Sequence, residues 1–233
     1  VDLDIAPLTE ALERASLPDS GVDAATLAPL DPERVDRVTH ELVFSMLLWE
    51  ASIAQARKGM ERLCETFVDC NEMRVCVPAE VASVLGTRHP RCAERSERLI
   101  AALRALAPDF PGMRLDMLGS LDKREARRRL GAIDAIPPFV GARVLLLALG
   151  AHAIPIDRKL ARELHKAGFI GDAGDPEAVA GALEREVRSA ESLRFYTKLE
   201  HWLDTRGSGA ARGRDAEDRD DPVAERSGTE GAR

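Results

Sequence analysis

The amino-acid sequence predicts an all-α protein, and three observations carry that expectation. Apolar residues recur at helical spacing along most of the chain. Asp-Pro-Glu triplets at 31–33 and 175–177 read as helix openings, with a capping acid, a proline in the first turn and a further acid. No stretch shows the apolar–polar alternation of a half-buried strand, and no internal repeat is present.

The elements follow in order. Asp31 is expected to cap a helix whose inward face holds Val35, Val38, Leu42, Phe44, Met46 and Leu47. A second helix is expected over 52–67, with Ile53, Met60 and Leu63 inward. Pro78 to Leu85 forms a short helix stopped by Gly86. Pro90 to Leu106 is the next, burying Leu99, Ile100, Leu103 and Leu106. Asp122 caps a helix that reaches Leu130 and ends at Gly131. A short apolar helix runs from Phe139 or Val140 to Leu149 and stops at Gly150. Arg158 to Ala167 follows, stopped by Gly168. The last two helices are expected from Asp175 to about Arg188 and from Ser192 to about Asp204. Residues 206–233 hold Val223 as their one large aliphatic, cannot bury a core and are expected to be disordered.

The 233 residues are enough for one large domain or two small ones, and 45% hydrophobic residues can build a real core. The longest apolar run, Val144 to Leu149, is far below the ~20 residues that a membrane-spanning helix needs. No basic region followed by an apolar stretch opens the chain, so a cytoplasmic location with reduced thiols is expected. Cysteines 64, 70, 76 and 92 form no Cys-x-x-Cys pair and have no histidine placed to complete a zinc set, so no metal is expected. The net charge is −7, of which the tail from 206 onward supplies −1. Against that background, 123–129 carries five basic residues in seven. Such a run is either a solvated helix face or a local phosphate-binding face, since the field near a surface is set locally.

One segment carries more information than the rest. Between Leu130 and Leu164 a helix ends and a Pro/Gly turn follows (Ile136-Pro137-Pro138-Phe139-Val140-Gly141). A buried helix then runs to Gly150, and Ile156-Asp157 leads into a new helix. Asp157 reads as an N-cap, or as a carboxylate held at a cleft between helices beside a phosphate-gripping turn. Both readings stand on the residues alone.

This segment resembles the helix-hairpin-helix DNA glycosylases of the endonuclease III type. The family's hairpin of Leu-Pro-Gly-Val-Gly form corresponds to 136–141, its following glycine to Gly150, and its Val-Asp to Ile156-Asp157. Upstream, the family's Leu-Ser-x-Gln-Ala-Thr helix corresponds to Leu48-Trp49-Glu50-Ala51-Ser52, with Lys58 matching a lysine beyond it. The resemblance spans roughly 31–203 and implies two helical lobes with a cleft between them. One lobe is 31–149 with the hairpin, and the other is 1–30 joined to 150–205. It implies a monomer acting on double-stranded DNA, at the nucleoid in a bacterial cell, with no membrane. Asp157 would be catalytic. Pro137, Phe139, Val140, Gly141, Arg143, Glu50, Lys123, Arg127, Arg128 and Arg158 would contact DNA. His152, in the turn before Asp157, and Trp49 are further pocket candidates.

The departures define what chemistry remains. The family's nucleophilic lysine falls on Ala142, or on Arg143 if the alignment shifts by one, and neither forms a Schiff base. Pro138 stands where the family has glycine and removes an N–H donor. Glu50 replaces a glutamine that wedges into DNA. No cysteine follows Cys92, so the family's iron–sulfur cluster is expected to be absent. The sequence leaves two readings: a monofunctional glycosylase that yields an intact abasic site, or a noncatalytic DNA- or protein-binding descendant of the same fold.

Overall fold

The computed structural model describes residues 2–15 and 35–217, with side chains described as far as 206 in the last helix. Among these residues the fold is all-helical, apart from one isolated antiparallel bridge between Leu3 and Ile170. The helices are α1 (Ile5–Arg14), α2 (Arg37–Leu48), α3 (Ile53–Thr66), α4 (Cys70–Val75), α5 (Pro78–Leu85), α6 (Cys92–Leu106), α7 (Lys123–Gly131), α8 (Pro138–Arg143), α9 (Arg158–Lys166), α10 (Pro176–Glu186) and α11 (Ser192–Glu217). Two short 3₁₀ turns, Pro111–Met113 and Leu115–Ser120, join α6 to α7, and a third, Ser189–Glu191, leads into α11.

The helices fall into two clusters. In the first, α2 is the central element, packed on α3, α6, α8 and the Leu115–Ser120 turn, with α5 and α4 closing over α6. Ten of the twelve residues of α2 are buried, which suits a helix surrounded on most sides. In the second cluster α1 lies against α11, and α9 against α10. Among the described residues no helix is long and apolar enough to cross a membrane.

Local chemistry accounts for most helix starts. Ser52 and Gln55 form a reciprocal capping box at α3: Ser52 Oγ accepts the Gln55 N–H, and Gln55 Oε1 accepts the Ser52 N–H at 2.9 Å. Asp122 caps α7 and Asp175 caps α10 through backbone N–H groups. Glycines 86, 150 and 168 take the left-handed conformation at helix exits, which costs a residue without Cβ nothing.

Several boundaries differ from expectation. Asp31 and its Pro-Glu lie outside the described residues, and α2 is capped instead by Asp36, which accepts the Val38 and Thr39 N–H groups and also that of Leu115. Helix α6 starts at Cys92 rather than Pro90, because Arg91 is left-handed with φ 52° and breaks the helical run. The apolar helix expected to reach Leu149 does not stay α-helical. After Arg143 it widens into a π-helical turn over Val144–Ala148, with the Leu149 N–H bonded to the Val144 carbonyl at 3.1 Å. Carbonyls at the end of this segment are taken by cations: Arg37 reaches that of Leu147 and Lys123 that of Leu149. Helix α11 continues to Glu217, so residues 206–217 are helical where disorder was expected. Extending an already formed helix costs far less than starting one, which carries it through a composition that could not nucleate by itself. Residues 218–233 lie outside the described residues. Periodicity predicts neither α1 nor α4; the latter spans only six residues.

Candidate active site

Asp157 stands where the two clusters meet. It is 6% exposed, and both carboxylate oxygens are occupied by backbone donors. Oδ1 accepts the Leu160 N–H at 2.8 Å, which caps α9 from within the second cluster. Oδ2 accepts the Glu50 N–H at 2.7 Å, which comes from the α2–α3 turn of the first cluster. Burial pushes the Asp157 carboxyl above its usual range. The two N–H donors and the nearby Lys159 ammonium oppose that rise, while Glu50 adds to it.

Glu50 can offer its N–H because its backbone is left-handed, with φ 55°, unusual for a residue with a Cβ. Its side chain turns the other way and pairs with Arg91 at 2.8 Å. Arg91 lies 4.2 Å from the centre of the Trp49 ring and also pairs with Glu94. Beneath this turn Arg95 is fully buried and donates to the carbonyls of Met46, Trp49 and Pro90. Burial pushes its guanidinium down to about 10. Arg95 closes the carbonyl end of α2 and holds the turn that reaches Asp157.

Two cavities meet at Asp157. The larger, about 570 Å³, opens between the hairpin, the Trp49–Glu50 turn and the loop that starts α10. The smaller, about 30 Å³, lies between the α2–α3 turn and α11, lined by Lys159, Tyr196, Glu200 and Asp204 together with Phe139 and Leu48. Lys159 donates to the Ala51 carbonyl at 2.8 Å, a second tie across the clusters, and burial lowers its ammonium.

A network of charges lies behind the smaller cavity. Arg143, 3% exposed, donates through Nε to Ser45 at 2.9 Å and to Glu41 at 3.2 Å. Its Nη1 reaches the Tyr196 hydroxyl at 2.7 Å and also the Glu200 carboxylate. Burial works against the charged guanidinium, but Glu200, Tyr196 and Glu41 outweigh it and hold Arg143 cationic. Burial likewise raises Glu200 and Tyr196. Arg143 thus pins α8 to α2 and α11.

Comparison with solved structures places this geometry. Endonuclease III trapped on DNA as a covalent intermediate matches with a TM-score of 0.59 and 16% identity, over 85% of each chain. MBOgg1 in complex with a low-affinity DNA ligand matches at 0.57 and 18%, over 73% of this chain and 61% of its own, so this chain spans less than two thirds of it. The 3-methyladenine DNA glycosylase MagIII of H. pylori, bound to 1,N6-ethenoadenine, matches at 0.55 and 14%, over 84% of this chain and 98% of its own. The chain has the helix-hairpin-helix DNA glycosylase fold. In sequence it matches no family model and no curated protein.

Within this glycosylase fold the hairpin is the turn between α7 and α8. Asp157, Glu50, Pro137, Phe139 and Arg158 come together around the larger cavity. Val140 and Gly141 are buried behind the hairpin, and both N–H groups bond the Pro137 carbonyl. Pro138 has no N–H, so the hairpin loses one donor that the family's glycine would supply.

Arg143 is a correction: expected on the DNA face, it points into the protein because Glu41 and Glu200 hold it there. The basic face of α7 is partly committed as well. Lys123 and Arg127 bond the carbonyls of Leu149 and His152, and Arg128 pairs with Glu125. His152 donates its Nε2 proton to the Glu184 carbonyl at 2.9 Å, on α10 and away from the Asp157 cavities.

Among the described residues no group of three or more His, Cys, Asp or Glu side chains is placed to hold a metal ion. Arg91, Arg95 and Glu200 bear on the site without having been singled out from the sequence, and Lys159, one of the basic residues that follow the hairpin, is committed to the Ala51 carbonyl. The spacing rules that locate caps act over three or four residues and say nothing about partners on other helices.

Proposed function

We propose that this chain is a monofunctional DNA N-glycosylase of base-excision repair, in which Asp157 drives hydrolysis of the bond between a damaged or mispaired base and its sugar. The observation that supports it most is the double anchoring of the Asp157 carboxylate by N–H donors from both sides of the cleft. A carboxylate fixed in this way is preorganised and needs no rearrangement when positive charge develops nearby. The nucleotide would rotate out of the duplex through the larger cavity. Asp157 would stabilise the cationic sugar as the base departs and accept the proton of the attacking water. With Ala142 and Arg143 at the hairpin, the family's nucleophilic lysine has no counterpart, and the nearby Lys159 amine is held on the Ala51 carbonyl, so the expected product is an intact abasic site.

A second reading has its own support. Pro138 and the inward Arg143 remove phosphate contacts, which favours a noncatalytic descendant that binds DNA weakly. Duplexes carrying deaminated, oxidised, alkylated or mismatched bases separate the two. Strand breaks that appear only after hot alkali, and vanish in Asp157→Asn, support catalysis. A folded protein that releases no base from any duplex supports the binding role.

A further inference from the structure

The chain passes from α2 to α3 through a type II turn. Trp49 has φ −50° and ψ 112°, Glu50 has φ 55°, and the Ala51 N–H donates to the Leu48 carbonyl at 2.8 Å. The second central position of such a turn favours glycine, which has no Cβ to crowd the left-handed backbone. Here it holds glutamate. The Glu50 N–H that reaches Asp157 and the Trp49 carbonyl that accepts from Arg95 at 2.6 Å belong to one peptide group.

Arg91 touches both central residues of this turn. Its guanidinium lies 4.2 Å from the centre of the Trp49 ring and pairs with the Glu50 carboxylate at 2.8 Å. Glu94, in the first turn of α6, holds the same guanidinium at 2.6 Å. Arg91 is itself left-handed, with φ 52°. Among the described residues three non-glycine residues have positive φ, and two of them form this ion pair. Strain of this kind persists only where the surroundings fix it, and it gathers at functional sites. We infer that Arg91 is a positioning residue for Asp157: by anchoring the Glu50 side chain it keeps that backbone left-handed and the Glu50 N–H aimed at the Asp157 carboxylate.

The inference rests on the glycosylase reading and adds a residue to its machinery. The pair is partly shielded, with the Arg91 side chain 30% and the Glu50 side chain 14% exposed, so solvent screens it less than a surface pair. With Arg91 truncated, Glu50 relaxes toward ordinary backbone and its N–H turns away from Oδ2. Asp157 keeps the Leu160 N–H and loses its tie to the first cluster. A carboxylate held from one side only is less preorganised for the charge that develops on the sugar. The same pair explains how an acid is tolerated beside a duplex, since Arg91 matches its charge and draws it aside.

The test uses the full chain as wild type, Arg91→Met, Arg91→Met/Glu50→Gly and Arg91→Met/Glu50→Gln. One readout is the hydrogen-exchange protection of the amide at position 50, which needs no substrate. The other is base release from duplexes carrying deaminated, oxidised, alkylated or mismatched bases. Arg91→Met is expected to lower protection and base release by at least about tenfold each. Glycine takes the left-handed conformation unaided, so Glu50→Gly is expected to recover most of both losses in the double variant. Glutamine removes the charge but keeps the Cβ, and is expected to recover neither. Unchanged protection in Arg91→Met, recovery by both double variants alike or by neither, or lost protection with base release fully kept overturns the inference and leaves the glycosylase reading standing. No release from any duplex by folded wild-type protein overturns that reading, and the exchange series alone then decides whether Arg91 sets the turn.

Discussion

The Asp157 carboxylate accepts the Glu50 backbone N–H at 2.7 Å, joining residues 107 positions apart across the boundary between the two helix clusters. The same side chain also caps α9, so capping and cleft geometry are one arrangement rather than alternatives. This changes what substitution does. Asn has one acceptor oxygen, and its amide would face an N–H. Asp157→Asn is therefore expected to abolish base release and to cost about 1–3 kcal/mol of stability, read from the urea midpoint. An unchanged midpoint would mean that one of the two hydrogen bonds does not form.

Asp157 also sets a pH dependence. Burial raises its folded-state value above 3.8, so the folded protein binds this proton more tightly than the unfolded chain. Its share of stability is then fullest below 3.8 and is lost as pH rises through the higher folded value. Base release requires the ionised form and should fall as pH drops through that same raised value. Lys159→Met removes a charge that favours ionisation, so the acid limb of the rate profile should move to higher pH. A limb that stays in place would show that Lys159 acts only through the Ala51 carbonyl.

Arg143→Met tests the inward arginine. Glu41 and Glu200 would lose their buried counter-charge, a loss of about 3–5 kcal/mol. A surface phosphate contact would give almost no change in stability and a weaker salt dependence of DNA binding instead. Denaturation and a salt titration on one variant separate the two.

Arg95→Met should destabilise by roughly 2–4 kcal/mol, since several buried carbonyls lose a charged donor together. It should also reduce base release, because the turn that presents the Glu50 N–H rests on this guanidinium. Stability lost with activity fully kept would detach Arg95 from the site.

Much of the fold was legible because its signals are local. Caps at Asp122, Asp157 and Asp175 sit within three residues of the N–H groups they accept, and Gly86, Gly150 and Gly168 mark exits by backbone freedom alone. Asp157 was legible for the same reason. Arg143 was not: a basic residue after a hairpin looks the same whether it points outward or inward, and its direction is set by Glu41 and Glu200 on other helices. The π-helical turn escaped because six apolar residues in a row carry no phase. Arg95 escaped because its partners are backbone carbonyls, which no sequence pattern displays.

Hydrolysis by Asp157 without a Schiff base leaves a distinct chemical signature in its product. The most direct measurement incubates wild-type protein and Asp157→Asn with duplexes carrying deaminated, oxidised, alkylated or mismatched bases, and divides each sample between hot alkali and borohydride. Alkali-dependent strand breaks are expected with wild type, none above background with the variant, and no protein–DNA adduct after borohydride in either. Strand breaks without alkali, an adduct trapped by borohydride, or full base release by Asp157→Asn would contradict it.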